Sequence, residues 1–95
     1  MKIYLTAVIK AKRAYTASIA SMLQNMVVHT KKESACLQYD LHRSTENDNV
    51  FFFYEIWENQ EGLDMHNLQP YIREFVKVAE DQLEEPPLII KGTLL

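Results

Sequence analysis

The stretch FFFYEIW, residues 51–57, constrains the fold of this 95-residue chain more than any other. Five of its seven side chains are aromatic, and a run this apolar predicts a β-strand that is buried on both faces, because successive side chains of a strand point to opposite sides. The carboxylate of Glu55 then shares one face with Phe51, Phe53 and Trp57. A buried carboxylate is costly unless it is paired or used, so Glu55 is a candidate functional residue.

Length, charge and cysteine content narrow the class of protein. The 95 residues predict a single domain, residues 1–95, and a chain this short buries only about two-thirds of the surface that its unfolded form exposes, which favours a second subunit. The net charge of −3 disfavours nucleic acid as a partner. No apolar run approaches the roughly 20 residues of a membrane span, and no signal-peptide pattern is present. With Cys36 as the single cysteine, we expect a cytoplasmic protein without disulfides or membrane contacts.

Apolar periodicity predicts the first half of the element order. Residues 2–10 alternate apolar and polar side chains, as a strand does, and apolar side chains at three- and four-residue steps predict an amphipathic helix over about residues 13–30. Residues 36–42 alternate again, with Leu37, Tyr39 and Leu41 expected on one side. The polar segment 44–49 joins this strand to residues 50–57, which predicts an antiparallel hairpin.

The second half of the chain predicts a broken helix and a last strand. Asn59 is a good N-cap for a short helix from Gln60 to about Leu68, and Pro70 suits the first turn of the next helix. The apolar stripe of that helix is Ile72, Phe75, Val76, Ala79 and Leu83, and residues 88–95 follow Pro86-Pro87 as a strand. The order β-α-β-β-α-β predicts an α+β ferredoxin-like fold, a four-stranded antiparallel sheet with its helices on one face.

One face of such a sheet stays uncovered. Because the strand at residues 50–57 is apolar on both sides, the open face is expected to bury itself against another surface. The simplest partner is the same face of a second copy, so we expect a homodimer joined through the sheet faces.

Two sequence runs resemble the antibiotic biosynthesis monooxygenase family. The segment ESACLQYDL, residues 33–41, resembles the family run E-P-G-C-L-x-Y-x-L, with Ser34 and Ala35 in place of Pro-Gly. The segment FYEIWENQEGL, residues 53–63, followed by His66, resembles the run E-x-W-x5-L-x2-H, while Tyr71 stands where a second histidine often follows. The resemblance implies a dimeric α/β barrel and a reaction on a small molecule.

Several enzymes of that family oxidise phenols or quinols with molecular oxygen and no cofactor, and the resemblance implies the same here. His66 is then the expected catalytic base, because an imidazole titrates near neutral pH. Glu55 is the second expected catalytic residue, which would orient His66 or bind a substrate hydroxyl. A pocket for a small aromatic or quinol-like substrate is expected from aromatic side chains, namely Tyr54, Trp57, Phe51, Phe53, Phe75 and Tyr71.

Other functions and other roles fit the same residues. An isomerase or related proton-transfer enzyme needs the same base without oxygen, and a non-enzymatic small-molecule-binding module needs no base. Haem degradation is disfavoured, because the segment 70–83 contains no histidine. The histidines and Cys36 lack metal-ligand spacing, and only two glycines occur, so neither a metal nor a nucleotide cofactor is expected. Glu55 could instead pair with Arg43 or Arg73, including across a dimer interface.

Overall fold

The computed structural model describes residues 1–95, and it confirms the predicted order and the ferredoxin-like α+β fold. The four strands are β1 (Ile3–Lys10), β2 (Cys36–Arg43), β3 (Val50–Trp57) and β4 (Leu88–Gly92). They form one antiparallel sheet in the order β2-β3-β1-β4. The helices are α1 (Thr16–Thr30), α2 (Gln60–Asn67) and α3 (Pro70–Gln82), and a short 3-10 turn precedes α1.

The alternation of β1 and β3 separates a buried sheet face from an open one. Register pairs Leu5 with Glu55 and Ala7 with Phe53, and these side chains are all buried on the face that the helices cover. Residues directly opposite each other in neighbouring strands share a face. The prediction that Glu55 lies with the buried aromatic residues of β3 is therefore confirmed, and Glu55 does not lie on the open sheet face.

A β-bulge changes the alternation at the start of β2. Cys36 pairs with Trp57 and Gln38 pairs with Ile56, so the ladder skips Leu37. An extra residue in one strand breaks the period of two. The prediction that Leu37 shares the face of Tyr39 is wrong: Leu37 is 49% exposed, whereas Tyr39 is 2% exposed.

The start of α2 is fixed by a cap and by a close approach. The Asn59 side chain accepts a hydrogen bond from the Gly62 backbone N–H at 2.8 Å, which caps the helix as predicted. A Cβ atom at position 62 would overlap the Cβ of Ala35. Glycine therefore lets α2 pack directly against the loop before β2, and this contact brings the loop residue Glu33 close to His66 on α2.

The C-terminal elements differ from the prediction in two places. In α3, Ile72 and Phe75 are buried, but Val76 is 57% exposed because it lies beside the buried stripe. Strand β4 ends at Gly92 instead of residue 95, since its ladder with β1 already reaches Tyr4 near the start of that strand.

The open sheet face carries apolar side chains. Its members are Tyr4, Val8, Phe52, Tyr54, Ile56, Leu88 and Ile90, all half-buried or exposed. The largest exposures are 58% for Ile90 and 57% for Leu88, both on the edge strand β4. None of the helices combines the length and apolar character needed to cross a bilayer.

Candidate active site

His66 lies on α2 and contacts a carboxylate from the loop before β2. Its Nδ1 is 2.8 Å from Oε2 of Glu33, and the Tyr71 hydroxyl donates to the same carboxylate oxygen at 2.5 Å. The Glu33 side chain is 13% exposed and that of His66 is 5% exposed. The three side chains form a largely buried polar cluster, which we call the Glu33 cluster.

Aromatic rings enclose the imidazole on its other sides. The Trp57 ring centroid is 4.5 Å from that of His66, and the Tyr39 ring meets the imidazole edge-on at 5.5 Å. His66 as a residue exposes only 4% of its surface. A substrate therefore reaches the imidazole only if a neighbouring side chain moves.

Burial and the carboxylate act in opposite directions on His66. Burial lowers the pKa of the imidazole, and the hydrogen bond and charge of Glu33 oppose that change. A lowered pKa keeps His66 neutral at pH 7. With an acceptor at Nδ1, the neutral ring carries its proton on Nδ1 and leaves a lone pair on Nε2. This is the tautomer that a base needs, and Glu33 would stabilise the imidazolium that forms.

Glu55 is paired with Trp57 instead of His66 or an arginine. The Trp57 Nε1–H donates to Oε1 of Glu55 at 2.8 Å, and the carboxylate is buried on the helix side. Burial raises the pKa of Glu55 to about 7, although the Trp57 hydrogen bond opposes the change. The predicted orientation of His66 by Glu55 is corrected, since Glu33 occupies that position. Within the chain Glu55 forms no ion pair with Arg43 or Arg73. The Arg43 guanidinium lies instead over the Phe51 ring, 5.0 Å from its centroid.

A fully buried hydroxyl lies at the edge of the Glu33 cluster. Thr30, the last residue of α1, is 0% exposed, and its hydroxyl lies beside the phenols of Tyr39 and Tyr71. Burial raises the pKa of Tyr39 and of Tyr71, and the adjacent Thr30 hydroxyl opposes the rise at both phenols. Both phenols thus stay protonated and can donate.

The structure brings some of the predicted pocket residues to His66 and keeps others away. Phe53 packs on Tyr39 with ring centroids 4.7 Å apart, one ring further from the imidazole. Phe51 is six residues from Trp57 along β3, about 20 Å at the rise of a strand. Phe75 lines a separate cavity between α3 and residues 84–87, and Tyr54 is 38% exposed on the open face. The residues around His66 are therefore Trp57, Tyr71 and, unpredicted, Tyr39.

Sequence reasoning missed Glu33. It lies in a polar loop segment where a carboxylate is normally solvated, and 33 residues separate it from its histidine partner. The available signal was its place as the first residue of the family-like run at residues 33–41.

Two surface cavities begin beside the residues that contact His66. The Glu33 cavity has a volume of about 350 Å³ and includes Glu33, Ala35, Glu58, Glu61, Gly62 and Met65 in its lining. The α1–β2 groove has a volume of about 330 Å³ and is lined by Gln24, Val27, Lys31, Tyr39, Asp40 and Leu41. No group of three or more histidine, cysteine, aspartate or glutamate side chains is placed to hold a metal ion.

Comparisons with known proteins agree with the resemblance seen in the sequence. The sequence model described as antibiotic biosynthesis monooxygenase matches residues 2–78. An uncharacterized protein of Synechocystis sp. is 32% identical over 78 residues, which are 82% of this chain and 53% of the relative, so the chain spans about half the length of that relative. YcnE of Bacillus subtilis, named as a candidate monooxygenase, is 28% identical over 92 residues, 97% of each chain.

Solved structures share the fold along nearly the whole chain. PA3566 from Pseudomonas aeruginosa has a TM-score of 0.93 at 26% identity, with 99% of this chain and 94% of that chain covered. Rv0793 from Mycobacterium tuberculosis also has a TM-score of 0.93, at 19% identity, with 100% and 96% covered. The second likeness bears on the fold alone.

Proposed function

The chain belongs to the antibiotic biosynthesis monooxygenase family, and from this membership we propose that it is a cofactor-independent monooxygenase that oxidises a small phenol, quinol or similar enolisable compound with molecular oxygen. The observation that carries the proposal is the buried pair of His66 and Glu33, with Nδ1 and Oε2 2.8 Å apart. The pair supplies a base in an enclosure of aromatic rings, where a phenolate would be shielded from water.

The chemistry assigned to His66 is removal and return of one proton. Nε2 takes the proton of the substrate hydroxyl, and Glu33 stabilises the resulting imidazolium. The electron-rich anion then forms a carbon–oxygen bond with dioxygen, and the peroxide receives the proton and loses water to leave a carbonyl group. One oxygen atom stays in the product and the other leaves as water. The four electrons that reduce dioxygen come from the substrate.

The test of this function is oxygen uptake by the purified protein with a panel of reduced naphthoquinols and polyphenols. We expect substrate-dependent uptake of one O₂ per product, with one ¹⁸O atom from labelled dioxygen in the product. The rate should be unchanged when EDTA is present and when no flavin is added. Uptake that disappears on chelation would contradict the proposal. Turnover of an enolisable substrate without oxygen uptake would instead favour a proton-transfer enzyme, which needs the same base.

We further propose a homodimer joined through the open sheet face. The face carries exposed apolar side chains, and a chain of this length has one set of helices, which covers only the other face. A self-complementary apolar face fits a second copy related by two-fold symmetry.

Substitution of Tyr54 tests the dimer. Tyr54→Lys should turn a dimer into a monomer at micromolar concentration in light scattering, because it buries an unpaired charge in the proposed interface. Tyr15→Lys is a matched control, since Tyr15 is 39% exposed and Tyr54 38%, and Tyr15 lies outside the sheet. A monomeric parent protein, or two variants that behave alike, would contradict the proposed interface.

A further inference from the structure

Both the Glu33 cavity and the α1–β2 groove touch a side chain that contacts His66. Glu33 lines the first and bonds to Nδ1 of the imidazole. Tyr39 lines the second, and its ring centroid is 5.5 Å from that of His66. His66 is nearly closed to solvent, so these two cavities are the candidate routes for a substrate.

The charges around the two cavities differ. The Glu33 cavity is lined by the carboxylates of Glu33, Glu58 and Glu61, and no lysine or arginine lines it. A substrate that becomes a phenolate or enolate would be destabilised there by like charge. The α1–β2 groove has the ammonium group of Lys31 on its rim, and its one carboxylate, Asp40, accepts a hydrogen bond from Gln38 Nε2 at 2.6 Å. The groove is therefore less unfavourable for an organic anion than the Glu33 cavity is.

The lining of the groove suits a flat ring. Val27 and Leu41 are apolar lining residues of the groove. The aromatic Tyr39 lines the groove and also contacts the imidazole, with ring centroids 5.5 Å apart. A flat ring in the groove would therefore lie against the side chain that separates it from His66.

We propose that the α1–β2 groove is the substrate site, where a small planar aromatic oxyanion binds with its charge near Lys31 and its ring against Tyr39. This inference rests on the proposed function for the identity of the substrate class. Movement of the Tyr39 ring then opens the path from the groove to His66. The Glu33 cavity is then not the substrate site, and it is where the carboxylate that bonds to His66 contacts solvent.

Binding of 2-hydroxy-1,4-naphthoquinone tests the site independently of catalysis. This probe is a planar anion at neutral pH and is already oxidised, so it reports binding without turnover. Titration is followed by calorimetry and by quenching of Trp57, the single tryptophan, whose ring is 6.3 Å from that of Tyr39. We expect one site per chain, and quenching that saturates with the calorimetric isotherm.

Two groove variants and two matched controls locate that binding. Lys31→Met should raise the Kd about threefold to tenfold, since one partly solvated charge is lost, whereas Lys32→Met, one residue further along and outside the groove lining, should leave it unchanged. Gln24→Phe narrows the groove at an exposed position and should raise the Kd more than tenfold. Glu61→Phe makes the same kind of change in the Glu33 cavity and should have no effect.

The outcomes separate the groove from the proposed function. Equal effects of the two lysine variants, or loss of binding in Glu61→Phe with normal binding in Gln24→Phe, would overturn the groove as the site. Failure of the probe to bind the parent protein would also overturn it. Groove-dependent binding in a protein that never takes up oxygen would leave the site standing and remove the monooxygenase function.

Discussion

Replacing His66 with alanine is expected to lower kcat/KM for quinol oxidation by about 10² to 10⁴, the usual cost of losing a general base. The imidazole is the buried group whose pKa is lowered toward the neutral form and whose Nδ1 is held by a carboxylate. Rates are measured by oxygen uptake under first-order conditions, with circular dichroism and light scattering to verify the fold and oligomeric state.

Controls for this loss distinguish chemistry from packing. His66→Gln keeps more volume than alanine and should be as inactive, which excludes a cavity as the cause. His42→Ala removes an exposed imidazole that stacks on Phe52, 4.5 Å away on the open face, and should keep the parent rate. A His66→Ala enzyme within a factor of ten of the parent would remove His66 as the base.

Glu33→Gln gives a graded comparison for the same pair. The rate should fall between those of the parent and His66→Ala, because the amide keeps the shape and loses the charge that stabilises imidazolium. Glu33 opposes the lowering of the His66 pKa, so its removal lowers that pKa further. The acid limb of the pH–rate profile should therefore move to lower pH. A purely structural role of Glu33 would lower the rate without moving the limb, and Glu61→Gln is the exposed carboxylate control.

The fold was predictable because each element carries a strong local pattern. The two-sided apolar run of β3, the alternation of β1 and the Asn59 cap all agree with the helix-covered sheet that forms. The failure at Leu37 is also physical. A bulge is a local change in pairing that depends on the neighbouring strand. The alternation of apolar and polar residues in one strand therefore does not predict it.

The site was predictable only in part. His66 and Trp57 follow from the pattern of α2 and β3, and they do meet, with ring centroids 4.5 Å apart. The partner of His66 depends on how closely α2 approaches the loop before β2, which the contact of Gly62 with Ala35 sets. That approach is a tertiary contact, which the periodicity of a single segment does not contain. The sequence pattern therefore indicated Glu55, on the strand just before α2, as the partner of His66 and gave no indication of Glu33.

Glu55 should make the protein less stable as the pH rises, and Glu55→Gln should remove that dependence. Its pKa is about 7 in the folded chain against an ordinary value of 4.5, so the folded state binds the proton more tightly. Between these values the folded state holds more protons than the unfolded state, and stability falls with rising pH. The Glu55 contribution is intact below pH 4.5 and lost above pH 7, a change on the order of 3 kcal/mol.

The measurement is urea unfolding of parent and variant from pH 4.5 to pH 8. Burial lowers the pKa of His66, so the stability that His66 contributes has the opposite pH dependence. It is present above the ordinary histidine pKa of 6.5 and is lost as the pH falls below that value. Because both proteins keep His66, that contribution cancels in the difference between their unfolding free energies. The unfolding free energy of Glu55→Gln minus that of the parent should increase between about pH 5 and pH 7. Glu58→Gln, an exposed neighbour, should follow the parent.

Removal of the Trp57 N–H provides an independent check on the same carboxyl group. Trp57→Phe takes away the hydrogen bond that opposes the raised pKa of Glu55. The fall in stability should therefore move to higher pH, on top of a pH-independent loss from the smaller ring at a fully buried position. In the double variant with Glu55→Gln, the pH-dependent part should vanish and the packing loss should remain. If the unfolding free energies of all these proteins change with pH in parallel, the pKa of Glu55 is the same in the folded and unfolded chains. That result would contradict both the raised pKa and the effect of the Trp57 hydrogen bond on it.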